Sequence, residues 1–295
     1  MSLDVPVLLD PRDYVDRDEQ QQLVADMVAG ASPVRVLVIA DASGEGKSDL
    51  LARLRVNCDE GTPRALTMLA DLRDLATAFG ALERAQDDQL NHEAFDVCLP
   101  RFTDRYRTWA TRAELRFDTG GRQTVLVDAS HSSLSPGAHV VGQQVIAEPA
   151  GVDNRLAQRE CVRAFLDDLR GWTGQPLVLL VDHLNKAAVG VRAWLERDLL
   201  RPCVRGELGD VRVVVATTPR EAPRLTGFGD SVAVTRLARL HTDLEQLACL
   251  LQAHRLLAEP GDPAVELAAD RLARGLSIGT VIEALAPLAG AHDGP

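Results

Sequence analysis

The sequence predicts a three-layer α/β fold with a parallel central sheet and a C-terminal helical lid. Apolar, largely β-branched runs at 34–40, 177–181 and 211–216 are too short for independent helices and too continuous for half-exposed strands. They read as strands covered on both faces. Segments of helical period separate them, as the crossovers of a parallel sheet require. From residue 242 onward the period is helical throughout, so the core is placed at 1–238 and the lid at 239–295.

Taken in order, the acidic stretch 10–30 acquires a helical period through Leu23, Met27 and Val28 and leads into strand 34–40. A glycine-rich turn and a helix over 47–56 follow. After the turn Gly61-Thr62-Pro63, residues 65–70 read as a second strand and 72–116 as mostly helix, broken at Leu99-Pro100. Short strands at 124–127 and 140–146 would flank a Ser/Pro/Gly-rich turn at 130–137. The segment 154–172 presents Leu156, Cys161, Phe165, Leu166 and Leu169 on one helical face and stops at Gly171 and Gly174-Gln175-Pro176. Strand 177–181, a helix over 189–200, strand 211–216 and a fifth strand at 232–237 complete the core.

Of 295 residues, 46% are hydrophobic and 25% charged, the balance of a soluble globular chain, and aromatics are only 4%, so aliphatic packing dominates. The net charge of -11, with no long Lys/Arg block, argues against a nucleic-acid partner. Cys58, Cys98, Cys161, Cys203 and Cys249 lie far apart without C-x-x-C spacing, and read as reduced core residues of a cytoplasmic protein. The seven histidines stand apart from them, so no zinc-ligand spacing is formed. No apolar run is long enough to cross a membrane, and the N-terminus lacks the pattern of a signal peptide.

The chemistry is concentrated between the first strand and its helix. The phosphate-loop pattern G-x-x-x-x-G-K-[ST] works because consecutive backbone N–H groups and a helix N-terminus converge on anionic oxygens. Here the octet is Asp41-Ala42-Ser43-Gly44-Glu45-Gly46-Lys47-Ser48, with Asp41 in place of the first glycine. Ser43, Gly44, Glu45 and Gly46 would cradle the phosphates of ATP or a related nucleoside triphosphate, Lys47 would neutralise the β- and γ-phosphates, and Ser48 would ligate Mg²⁺. The Asp41 charge would repel phosphate unless it turns away and hydrogen-bonds the loop. Together with the predicted sheet, this makes the fold a P-loop NTPase.

An apolar strand ending in an acid supplies the second magnesium-side group, and Leu177-Val178-Leu179-Leu180-Val181-Asp182 has that form. Hydrolysis also needs a group that positions water. Glu or Asp commonly follows such an aspartate, whereas His183, Leu184 and Asn185 follow here, so His183 or Asn185 would have to act and turnover is expected to be slow or absent. A neighbouring strand ends in Thr217-Thr218-Pro219-Arg220, at the carboxyl edge where doubly wound folds bind ligands. There Arg220 would reach a γ-phosphate and Thr217 or Thr218 would touch phosphate or water.

These elements, preceded by Asp10-Pro-Arg-Asp-Tyr-Val-Asp-Arg-Asp-Glu, resemble the STAND class of signalling ATPases within the AAA+ group. The resemblance implies that Tyr14 and Val15, in Tyr14-Val15-Asp16-Arg17-Asp18, pack on the adenine. It extends to the Thr-Thr-x-Arg element and to Arg274-Gly275-Leu276-Ser277-Ile278-Gly279, which is similar to the Gly-Leu-Pro lid motif without its proline. It implies a nucleotide-dependent switch, of the kind found in bacterial defence and conflict systems, acting on a protein effector or sensor partner and open to homo-oligomer formation. The rival reading is a hydrolysis-deficient scaffold that recruits an effector. A small-molecule kinase would need an acceptor pocket and an Arg-bearing lid, for which Arg271 and Arg274 are available. An ABC-type signature is absent from the sequence.

Overall fold

In the computed structural model the described residues are 17–43, 45–118, 152–225, 227–237, 244, 247–248, 251, 263–274, 281 and 284–285; for 112–118 and 152–154 this covers the backbone alone. The expected strands at 124–127 and 140–146 lie outside them, as do Tyr14, Val15, Gly44 and Cys249.

Among the described residues five strands form one parallel sheet: β1 (Val36–Ala40), β2 (Leu66–Asp71), β3 (Leu177–Asp182), β4 (Val211–Thr217) and β5 (Val232–Thr235). Their order is β2-β3-β4-β1-β5, so β4 stands between β1, which enters the phosphate loop, and β3, which ends at Asp182. Every residue of β1, β3 and β4 is buried, which is why their sequences are apolar but for Arg212 within β4 and the terminal Asp182 and Thr217.

Alternate side chains of these strands feed two separate cores. Leu37, Ile39, Val178, Leu180 and Val214 meet α1 (Asp18–Ala29) and α2 (Lys47–Glu60) through Val24, Met27, Leu50, Leu51 and Leu54. Val36, Val38, Met68, Leu179, Val181, Val213 and Val215 face the opposite layer. That layer contains α3 (Ala78–Asp87), α4 (His92–Cys98), α5 (Pro100–Asp118), α6 (Val152–Arg170) and α7 (Val189–Trp194). A π-helical stretch, Leu195–Leu200, and a short α8 (Arg201–Val204) continue α7. The result is a three-layer α/β fold with a parallel central sheet.

Several boundaries differ from the sequence expectation for local reasons. The helix after the phosphate loop runs to Glu60 rather than 56, because Cys58 still packs into the α1/α2 core. The helix expected to end at 200 continues to Val204 because the π-helical stretch shifts its phase and buries Cys203 and Val204 as well. The fifth strand stops at Thr235, two residues short of the expected end. The break at Leu99-Pro100 is observed, with α4 ending at Cys98 and α5 starting at Pro100, whose missing N–H and fixed φ suit a first helical position.

The second strand ends at Asp71 rather than 70 and, among the described residues, is one of the sheet's two edges. Asn91, fully buried, lies against it. Its Oδ1 accepts from the Leu69 N–H at 2.9 Å and from Arg55 at 3.0 Å, and its Nδ2 donates to the carbonyls of Leu69 and Ala85, each at 2.8 Å.

On the C-terminal side, α9 (Pro263–Ala273) contributes Val265, Ala268 and Leu272 to a third buried cluster with Leu247, Ala248, Leu251, Val281 and Leu285. Among the described residues no helix is long and apolar enough to cross a membrane.

Candidate nucleotide site

The site is assembled at the carboxyl edge of β1, β3 and β4. Gly46 caps α2 with φ +77°, a left-handed conformation that a residue without Cβ adopts at no steric cost. That turn sends the chain directly into α2, so Lys47 and Ser48 occupy its first turn, where backbone N–H groups are unpaired and the helix dipole favours anions.

Lys47 is 9% exposed, and its ammonium folds back over the loop, donating to the Asp41 carbonyl at 2.9 Å and to the Ala42 carbonyl. Burial lowers the pKa of its amine, while Asp41, Asp182 and Glu45 oppose the shift. Asp182 is therefore close enough to act on Lys47 electrostatically, although β4 separates their strands. Ser43 and Ser48 are exposed, and Glu45 is half-buried. Only two lysines occur in the chain, Lys47 and Lys186, against 32 lysines and arginines in total. Where arginine is the prevailing cation, a lysine thus stands at the loop position for which the sequence pattern expects a compact point charge.

Asp41 shows why a carboxylate is tolerated at the first loop position. One oxygen accepts from the Ala42 N–H at 2.7 Å and the other from the Leu237 N–H at 2.9 Å, just past β5. The charge is thus committed to backbone donors of the loop base, and the Asp41 N–H donates to the Thr217 carbonyl at 3.1 Å.

Asp182 is 8% exposed and accepts from its neighbour's amide, His183 N–H, at 2.7 Å. His183 has φ +54°, uncommon for a residue with a Cβ. This turns its ring back over the strand ends, where Nδ1 lies 3.2 Å from Asp182 Oδ2 and 3.1 Å from Asp71 Oδ1. It is aligned to hydrogen-bond neither, so these are proximities. Nε2 lies 3.3 Å from an Arg73 guanidinium nitrogen.

Asp71 was not among the residues the sequence singled out, since the strand was expected to end one residue earlier. Its register partner in β3 is Asp182, and parallel pairing turns both side chains to the α2 face. The available signal was an acid at the end of the second apolar run.

The other expected residues are placed differently. Thr217 is fully buried and meets the loop through its backbone carbonyl, and its hydroxyl has no hydrogen-bond partner. Thr218 donates its hydroxyl to Glu221. The Arg220 side chain is 93% exposed and lies 3.9 Å from Glu221. Asn185 is half-buried within the one-turn helix Leu184–Lys186. Among the described residues neither Arg220 nor Asn185 makes a side-chain hydrogen bond to the Lys47, Asp182 and His183 cluster.

The donor set suits a phosphate chain with a hard cation. A lysine crosses the loop mouth, an exposed hydroxyl sits in the first turn of α2, and a carboxylate ends the central strand β3. Among the described residues no group of three or more His, Cys, Asp or Glu side chains forms a metal site. Magnesium at nucleotide sites takes one or two protein ligands and completes its shell with phosphate and water, which Ser48 and Asp182 match.

No family model and no curated protein matches the chain. Among solved structures it is similar to Cdc6p from Pyrobaculum aerophilum, with a TM-score of 0.45 and 13% identity over 90% of this chain and 57% of that one. The chain therefore spans 57% of the length of that structure.

Proposed function

We propose that the chain binds ATP, with Mg²⁺, in the loop between β1 and α2 and acts as a nucleotide-dependent switch of the AAA+ and STAND type. The observation that carries this reading is Lys47, a buried amine held across the loop mouth and within electrostatic reach of the acid that ends β3. Phosphate oxygens entering the loop would replace the Asp41 and Ala42 carbonyls as partners of Lys47. Ser48 and Asp182 would hold the cation, which when bound screens the negative charge developing on the transferred phosphoryl group. The contacts of Asp41 with both Ala42 and Leu237 join the loop to the residues just past β5, which supports a coupling of bound nucleotide to an effector surface further along the chain. Only contacts that differ between ATP and ADP can move that equilibrium.

A second reading, a scaffold that holds nucleotide without hydrolysing it, is favoured by the imidazole that follows Asp182 and by the exposure of Arg220.

The chain's lysine content supplies the test. An amine-selective acylating reagent has two side-chain targets, Lys47 and Lys186, read by peptide mass spectrometry. Mg-ATP is expected to protect Lys47 and leave Lys186 unchanged, and Lys47→Ala is expected to abolish calorimetric ATP binding with the fold intact. Equal labelling of Lys47 with and without millimolar ATP, or unchanged ATP affinity in the variant, would overturn the assignment. Phosphate release from the same sample separates the switch from the scaffold.

A further inference from the structure

The position after Asp182, where a water-activating acid is expected, holds His183. The left-handed backbone there directs the imidazole sideways over the end of β2. Its Nδ1 is buried between two carboxylates, and its Nε2 faces the Arg73 guanidinium. Nδ1 is thus closed to water, and Nε2 is engaged by the guanidinium.

Asp71, by contrast, is open. Its side chain is 37% exposed against 12% for Asp182, and the register of β2 with β3 places it beside Asp182 on the same face of the sheet. It is also held in place: Oδ1 accepts from the Arg73 N–H at 2.9 Å, Oδ2 lies 3.6 Å from the Arg73 guanidinium, and His183 stands against it. An acid delivered by the adjacent strand can thus do what the missing acid after Asp182 would do.

We infer that Asp71 is the residue that orients and deprotonates the attacking water in ATP hydrolysis, with His183 and Arg73 as positioning residues; this rests on the nucleotide reading above. In the step, one O–H bond of water breaks and its proton passes to the Asp71 carboxylate. The water oxygen forms a bond to the terminal phosphorus. The bond from that phosphorus to the bridging oxygen breaks, and its electron pair stays on ADP. Asp71, open to solvent, then releases the proton to bulk water. Positioned proton acceptors contribute typically 10²–10⁴-fold to such steps.

The test compares wild type, Asp71→Asn and His183→Asn by ATP calorimetry, single-turnover hydrolysis, and binding of ADP with aluminium fluoride, a mimic of the phosphoryl group in flight with its in-line water. Asp71→Asn is expected to keep ATP affinity within about threefold, to hydrolyse at least about 100-fold more slowly, and to lose the aluminium fluoride complex. His183→Asn is expected to lower kcat about tenfold with KM unchanged, in keeping with the smaller effect of a group acting through another. ATP binding with an unchanged hydrolysis rate in Asp71→Asn overturns the role of Asp71, as does a wild type that binds ATP and never cleaves it. A wild type that binds no nucleotide overturns the nucleotide reading itself, and with it this role. Should Asp71→Asn fail to fold, Asp71→Glu carries the test: its carboxylate is displaced by one methylene, so a slowed rate with ATP affinity held supports the role and an unslowed rate overturns it.

Discussion

The carboxylate of Asp41, at the first position of the phosphate loop, accepts a hydrogen bond at 2.9 Å from the backbone of Leu237, 196 residues later in the chain. With its second bond, to Ala42, it joins the loop base to the residues that leave β5. Asp41→Ala removes both acceptors and leaves two backbone donors to find new partners. The expected loss is about 1–2 kcal/mol, the scale of hydrogen bonds to a charged, partly solvated group. Urea unfolding measures it, and amide exchange at Leu237 should accelerate in the same variant. Unchanged stability together with unchanged exchange would contradict the link.

Asn91 invites a larger effect. All its amide contacts are made inside the protein, and one of its partners is the Arg55 guanidinium, itself buried. Asn91→Ala leaves the Leu69 N–H and C=O and that guanidinium short of partners. A loss of about 2–4 kcal/mol is expected by thermal or urea unfolding. A loss below about 0.5 kcal/mol, typical of surface changes, would show that the contacts are not held in solution.

The helices between β2 and β3 are packed on aromatic rings. Phe102 is fully buried, with ring centroids 5.5 Å from Phe95, 5.8 Å from Tyr106 and 6.1 Å from Phe165. Phe102→Ala should cost about 3–5 kcal/mol, the usual range for emptying a buried aromatic site. Calorimetric unfolding checks this, and a cost under 1 kcal/mol would mean that α5 does not dock as described.

Stability should also fall in alkali. Burial pushes the Cys58, Cys98 and Cys203 thiols up to about 12 and that of Cys161 up to about 11, from an ordinary value of 9.0. Because these folded-state values are raised, their stabilising contribution is whole below pH 9 and is lost as pH climbs toward 11–12. Each thiol contributes a slope of about 1.4 kcal/mol per pH unit in that window. Urea midpoints should be flat from pH 7 to about 8.5 and then decline, and a thiol reagent should reach these four cysteines only after unfolding. Fast labelling of any of them in the native protein at pH 8 would contradict their burial.

Much of the fold was legible because the strands under helices on both sides have no polar face to show: residues 36–40 and 177–181 announce themselves as unbroken apolar runs. The loop was legible because phosphate binding needs Gly46, Lys47 and Ser48 in consecutive positions. What depends on pairing was not. That Asp71 stands beside Asp182 follows from joining β2 to β3 across more than a hundred residues of chain, and no local pattern encodes that adjacency. The left-handed turn at His183 and the π-helical stretch at Leu195–Leu200 are imposed by packing on residues that would serve equally well in ordinary helix or loop. The charge at Asp41 looked adverse in isolation, because its second partner, just past the neighbouring strand β5, comes 196 residues later in the chain.

The carboxamide of Asn91 occupies the outward-facing amide and carbonyl of Leu69 much as one residue of a sixth strand would, and the Arg84 guanidinium reaches the Asp71 carbonyl at 3.5 Å a little further along. An exposed edge strand is a template on which other chains can polymerise. At Leu69 that template is filled by a side chain of the protein itself, which disfavours strand addition at this point of β2.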